Sequence, residues 1–175
     1  MNPDTRWEIV GRLLHDDHLT LTDRVAGCLV LLYAQQLTHI VALTVDQVIA
    51  AEDGVHLKLG GSRTIIPEPL GGLLLELAAN GRTHTGVGSH VTRHWLFPGL
   101  HPGRPLHPSG LGQRLRRLGI ATMPGRRAAL MHLASQLPAA VLAEILNLHP
   151  TTAVHWVAAA GGDWNNYAAQ IARQR

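Results

Sequence analysis

Five arginines, Arg114, Arg116, Arg117, Arg126 and Arg127, fall within fourteen residues with no Asp or Glu among them. A guanidinium presents its donors in a planar fork that grips phosphate oxygens, so several on adjacent helices suit the backbone of a nucleic-acid duplex. The alternative is a solvated helix face, but such faces normally mix both charge signs. Here the imbalance extends further. Between Leu77 and Ala143, 67 residues hold eight arginines, six histidines and no acid, while all twelve acids lie outside with only seven Lys and Arg. A chain polarised in this way attracts polyanions by summed Coulomb forces, and its overall charge of +3 conceals the asymmetry. An arginine-rich coding bias accounts for fourteen Arg against one Lys, but not for the missing acids.

A second candidate runs from Val141 to Val157. A short helix, a tight turn around Asn147-Leu148-His149 and a second helix opening on Pro150-Thr151-Thr152 is the pattern of a helix-turn-helix. In that reading Thr151, Thr152 and His155 reach base edges while Ala and Val pack behind them. A helical hairpin buried in a core has the same pattern, so the segment suits either DNA contact or plain packing. Among the twelve histidines, His90 and His94 stand at i, i+4 spacing with His84 nearby, the start of a zinc ligand set. No second cysteine or clear fourth ligand completes it, and loop histidines titrating near neutrality are the simpler account. Gly60-Gly61-Ser62 joins strand to strand rather than strand to helix, so it reads as a turn and not a phosphate cradle. No metal or cofactor is expected.

These groups need elements to hold them. The spacing predicts helices over 5–15 and 22–36, the second apolar on all sides and therefore central. Three short β-suited runs follow, Val45–Ala51, Val55–Leu59 and Arg63–Pro67, separated by turn residues and predicting a three-stranded meander. Pro69 opens a helix to about Ala79, and residues 80–94 form a connection without periodicity, expected to be mobile. Beyond Trp95-Leu96-Phe97, Ser109 is the expected cap of a helix over 110–118, with further helices over 124–136, 138–147 and 150–160 and a last one capped by Asp163. The expected architecture is mainly α (α+β), one domain over 1–175 with a small antiparallel sheet inserted after the second helix.

Cys28 stands alone among apolar neighbours, which excludes a disulfide scaffold. No apolar run reaches the roughly 18 residues of a membrane span, and the first twenty residues carry acids rather than the apolar stretch of a signal sequence. The expected setting is cytoplasmic and nucleoid-associated, away from membranes.

The order of elements, a buried helix, a meander, Trp95-Leu96-Phe97-Pro98, an arginine-bearing helix and the Arg126 segment leading to Leu146-Asn147-Leu148, resembles the catalytic domain of the tyrosine recombinase (phage integrase) family over residues 20–170. The phrase from Leu32 to Leu43 looks like the family's box around its first arginine, Leu96-Phe97-Pro98 like its Leu-Phe-Pro, and Leu146-Asn147-Leu148 like its Leu-Gly-His. In that family two arginines and a histidine bind the scissile phosphate, a lysine and another histidine assist proton transfer, and a tyrosine attacks phosphorus. The resemblance places Gln36 at the first arginine and Gly61 or Ser62 near the lysine. It places Met123 at the histidine of the His-x-x-Arg box, Leu148 at the late histidine and Trp156 near the tyrosine, with only Arg126 retained. Tyr167, about eleven residues further on, is the one candidate for a displaced nucleophile. Without most of the charges that neutralise a pentavalent phosphorane, strand transfer should fail.

The resemblance therefore implies a catalytically inactive domain that binds double-stranded DNA, in a regulatory, replication or mobile-element role. Arg114, Arg116, Arg117, Arg126, Arg127, Thr151, Thr152 and His155 are its expected contacts. Its alternative is an interaction module on the same scaffold, docking an acidic protein or a recombinase partner. The family's N-terminal clamp does not fit within these 175 residues, so either the chain is an excised portion or the protein lacks the clamp, and affinity as a lone domain should be modest.

Overall fold

The computed structural model describes the chain apart from residues 84–93, 102 and 174–175, and describes residues 81–83 and 162–173 as backbone only. The connection expected to be mobile lies largely outside the described residues.

Asn2 accepts the Asp4 N–H and Pro3 supplies a preset φ, so α1 runs Pro3–His15. Its far end is held from the next helix. Buried Arg24 donates from Nε to the Leu13 carbonyl at 2.8 Å and from Nη2 to the Leu14 carbonyl at 2.7 Å, and pairs through Nη1 with Asp17 at 2.7 Å. Helix α2, Leu21–Leu31, is capped by Thr20 and is buried from Asp23 to Leu31, as its all-round apolar sequence requires. Burial pushes the Cys28 thiol up to about 12, so it behaves as a small core residue.

Helix α2 ends about five residues earlier than the periodicity predicts. Ala34 takes φ 51, a left-handed conformation that costs an L-residue about 1–2 kcal/mol and must be held by its surroundings. Gln35 supplies part of that hold, donating from its backbone to Leu29 at 3.0 Å and from Nε2 to the Tyr33 and Ile145 carbonyls at 3.2 and 3.3 Å. The chain then forms a short helix α3, Leu37–Val41.

The meander is present, trimmed at its start. Val45–Gln47 is a 3-10 turn closed by Gln47 Oε1 on the Thr44 N–H at 2.8 Å. Strands β1 (Val48–Ala51), β2 (Gly54–Leu59) and β3 (Ser62–Ile66) follow in that order, antiparallel, with Val48 opposite Leu57 and Leu57 opposite Thr64. Val55, Leu57 and Leu59 alternate inward, against α4 (Leu70–Thr83) and its buried Leu70, Leu74 and Leu77. Leu96 and Phe97 are fully buried, and the Leu96 N–H bonds the Leu43 carbonyl at 2.9 Å, tying this phrase to the segment after α3.

Helix α5 spans Pro108–Arg117 and is capped by His107, not by Ser109: Pro108 takes the first helical position, and His107 Nδ1 accepts the Ser109 N–H at 3.3 Å. Helices α6 (Thr122–Gln136) and α7 (Ala139–Leu146) follow, and α8 runs unbroken Pro150–Arg173. Asp163 therefore starts no separate helix. The backbone stays helical through Gly161 and Gly162, whose cost of about 1 kcal/mol each is too small to break a long helix.

Among the described residues two apolar cores result. The larger joins α1 to α5 with the sheet, and the smaller consists of Ala34, Ala129, Leu130, Ala134, Leu142, Leu146 and Ala153 between α6, α7 and α8. Among the described residues no helix is long and apolar enough to cross a membrane.

Candidate nucleic-acid interface

The Ala34 corner is also where the site begins. Arg126, in the second turn of α6, donates from Nε to the Ala34 carbonyl at 2.7 Å. Ala34 is fully buried, so this bond satisfies an acceptor that water cannot reach. Burial pushes the Arg126 guanidinium down from the usual arginine range, but an arginine stays charged. Arg126 thus has a structural task, and it also lines two neighbouring clefts. One, of about 430 Å³, is walled by Gln36, Thr38, Ser109, Met123 and Arg126. The other, of about 760 Å³, is walled by Met123, Arg126, Arg127, Met131 and Trp156. Gln36, Met123 and Trp156, far apart in sequence, thereby line the two clefts that Arg126 also lines.

Arg114 goes elsewhere. Its Nε stands 2.9 Å from Asp23 Oδ1, an ion-pair contact off the axis of a hydrogen bond, and its Nη2 donates to Thr20 Oγ1 at 2.9 Å. The acid-free run in sequence is thus not acid-free in space. Thr20 and Asp23 sit at the start of α2 and Ala34 beyond its end, so Arg114 and Arg126 anchor to opposite ends of a helix about 16 Å long. With Asp23 almost wholly buried, Arg114→Ala should destabilise the fold by about 1–3 kcal/mol through the uncompensated carboxylate. A lowered melting temperature with an unchanged duplex-binding salt slope checks this.

Arg116, Arg117 and Arg127 are exposed and have no ion pair with any described residue. Leu111, Gly112 and Leu115 are buried, so Arg116 and Arg117 take the outer side of α5.

The hairpin of α7 and α8 turns at Asn147, whose φ of 50 lets its N–H return to Glu144. His149 Nδ1 bonds the Thr151 hydroxyl at 2.8 Å and accepts the Thr151 N–H at 3.4 Å. Thr151, Thr152 and His155 are exposed while Ala153 is buried in the smaller core. Thr152 precedes Trp156 by one helical turn, which sets it on the same face as the larger cleft. Leu148 packs against the smaller core.

This chain overlays the crystal structure of the XerA recombinase with a TM-score of 0.64 at 12% identity, covering 96% of this chain and 64% of that one. The fold is recombinase-like. No protein-family profile matches the chain, and no curated protein matches it. This chain spans less than two thirds of the length of that recombinase chain.

Within this recombinase-like fold, Gln36 and Met123 are exposed side chains at the mouth of the smaller cleft. The turn after β2 is docked rather than free: a Cβ on Gly60 would lie 2.0 Å from the Glu144 carbonyl oxygen. Tyr167 belongs to the α8 backbone. His84 and His90 lie outside the described residues, and among the described residues no three His, Cys, Asp or Glu form a metal cluster. Sequence reading missed Ala34 and Gln35, which set the corner that Arg126 reads. Their one visible signal is the polar pair Gln35-Gln36 interrupting an apolar run.

Proposed function

We propose that this chain binds double-stranded DNA and does not exchange strands. The observation that carries the reading is the company Arg126 keeps. Where the resemblance calls for a second arginine, a histidine and a tyrosine, the clefts around Arg126 offer Gln36, Met123 and Trp156. One guanidinium, already donating to Ala34, leaves most of the charge of a phosphorane unopposed. The exposed arginines Arg116, Arg117 and Arg127 supply attraction to a phosphate backbone without any chemistry, and Thr151, Thr152 and His155 stand exposed at the start of α8. A regulatory, replication or mobile-element role fits such a binder.

Fluorescence anisotropy on a labelled duplex tests this. Log affinity should fall linearly with log salt, by about 0.9 per phosphate neutralised, and a nicked suicide duplex should give no covalent adduct. Absence of binding at about 50 mM salt overturns the DNA reading. An adduct that disappears in Tyr167→Phe overturns the inactive one.

A second reading has its own observation. Met123, Met131 and Trp156 beside two arginines are residue types enriched in protein interfaces, which favours docking of an acidic protein or a recombinase partner on the same surface. Retention on polyglutamate without duplex binding would select it.

A further inference from the structure

The second place where an arginine lines a cavity is unrelated to the first. Arg6 projects from α1 and is 4% exposed, and its buried Nε and Nη1 reach no acceptor among the described residues. A buried guanidinium is ordinarily paired, because withdrawing the charge from water is unfavourable unless an anion replaces the solvent. No described carboxylate does so. Glu68, on the same cavity, is spent on the first turn of α4, where Oε2 accepts the Gly72 N–H at 3.0 Å.

Arg6 lines a half-open cavity of about 420 Å³ bounded by α1, Leu32 and Tyr33 just beyond α2, the Pro67–Leu70 segment and the last turns of α6. That volume falls within the range of small-molecule sites. The walls are largely apolar, with Val10, Leu14, Leu32, Leu70 and Leu133 among them. One rim is aromatic: the Arg6 guanidinium stands 5.1 Å from the centre of the half-exposed Trp7 ring, which meets His132 edge to face at 6.2 Å. His132 is pushed down from its ordinary value, first by burial and then by Arg6, so it adds no second cation near neutrality. Tyr33, also in the wall, is pushed up to about 12 by burial and by Cys28 and stays a neutral phenol.

One cation, apolar walls and a carboxylate already on the rim together define the guest. We propose that this cavity binds a small amphipathic monoanion, a carboxylate on an apolar body, with the carboxylate on Arg6 and the body among the leucines. Glu68 disfavours a dianion such as a phosphate monoester, and the unpaired guanidinium disfavours a neutral apolar molecule.

Calorimetry on the full chain with sodium octanoate and with 1-octanol tests the proposal. Octanoate should bind tighter than octanol by about tenfold or more, as one charge-assisted hydrogen bond contributes. Octyl phosphate should bind more weakly than octanoate. In Arg6→Met, which keeps the length of the stem and removes the charge, octanoate should fall to the level of octanol while the melting temperature holds or rises. Equal affinity of octanoate and octanol for the unaltered chain overturns the proposal and requires no variant. So does undiminished octanoate binding in a folded Arg6→Met protein, or no octanoate binding at millimolar concentration.

Discussion

Replacing Arg116, Arg117 and Arg127 together by alanine is expected to lower duplex affinity on the order of a hundredfold, at about 1 kcal/mol for each lost phosphate contact. The slope of log affinity against log salt should flatten by about 0.9 per arginine removed. The three side chains are exposed and free of ion pairs with any described residue, so their removal leaves the fold intact and takes away only surface charge. Arg114 is the internal contrast, since its charge is already answered by Asp23 at 2.9 Å. Anisotropy at several salt concentrations separates the two cases. A triple variant that binds with unchanged slope removes these arginines from the interface.

The second large effect is structural. Gly60→Ala should destabilise the protein by about 2–5 kcal/mol, combining the left-handed penalty of about 1–2 kcal/mol with the overpacking cost of about 1–3 kcal/mol. Both causes act at one atom. Gly60 has φ 58, and a Cβ there would lie 2.0 Å from the carbonyl oxygen of Glu144 and 3.2 Å from its carbon, which are backbone atoms at the end of α7 and cannot swing aside. Gly61 is the control, because its Cβ would meet the flexible Glu144 carboxylate at 3.1 Å. For a domain of this size the expected fall in melting temperature is about 4–20 °C, read by circular dichroism. A Gly60→Ala protein that melts with the wild type would show that the turn is not seated on α7.

Alternation and turn residues were enough to read the meander, because a strand's period of two is written in single residues such as Val55, Leu57 and Leu59. The end of α2 was not legible. Alanine is the strongest helix former, and nothing at Ala34 itself signals a positive φ; that conformation is held in part by Gln35, which reaches Ile145, and in part by Arg126, 92 positions away. The arginine cluster was legible as charge but not as geometry. Residues 114 and 126 are neighbours in sequence and tethered to opposite ends of one helix in space, for Asp23 lies 91 positions from Arg114. The gathering of Gln36, Met123, Arg126 and Trp156 came from the family order of elements rather than from any local pattern. Arg6 carried a signal that was overlooked. It precedes Val10 and Leu13 by four and seven residues, which sets it on the buried stripe of α1.

The smaller core has seven fully enclosed members, four of them alanine, and a methyl side chain removes little apolar surface from water. Helices α6 to α8 therefore rest on a thin apolar core of their own, and are joined to the rest through Ala34, Ile145, the Arg126 bond, the Trp7–His132 contact and the seat of Gly60 on Glu144. Segments of this kind open below the global unfolding free energy. The unit carries Arg127, Thr151, Thr152 and His155, so a ligand on those residues binds the closed form alone and shifts its opening equilibrium by mass action. On the proposed reading, duplex DNA would hold this thin core closed from outside.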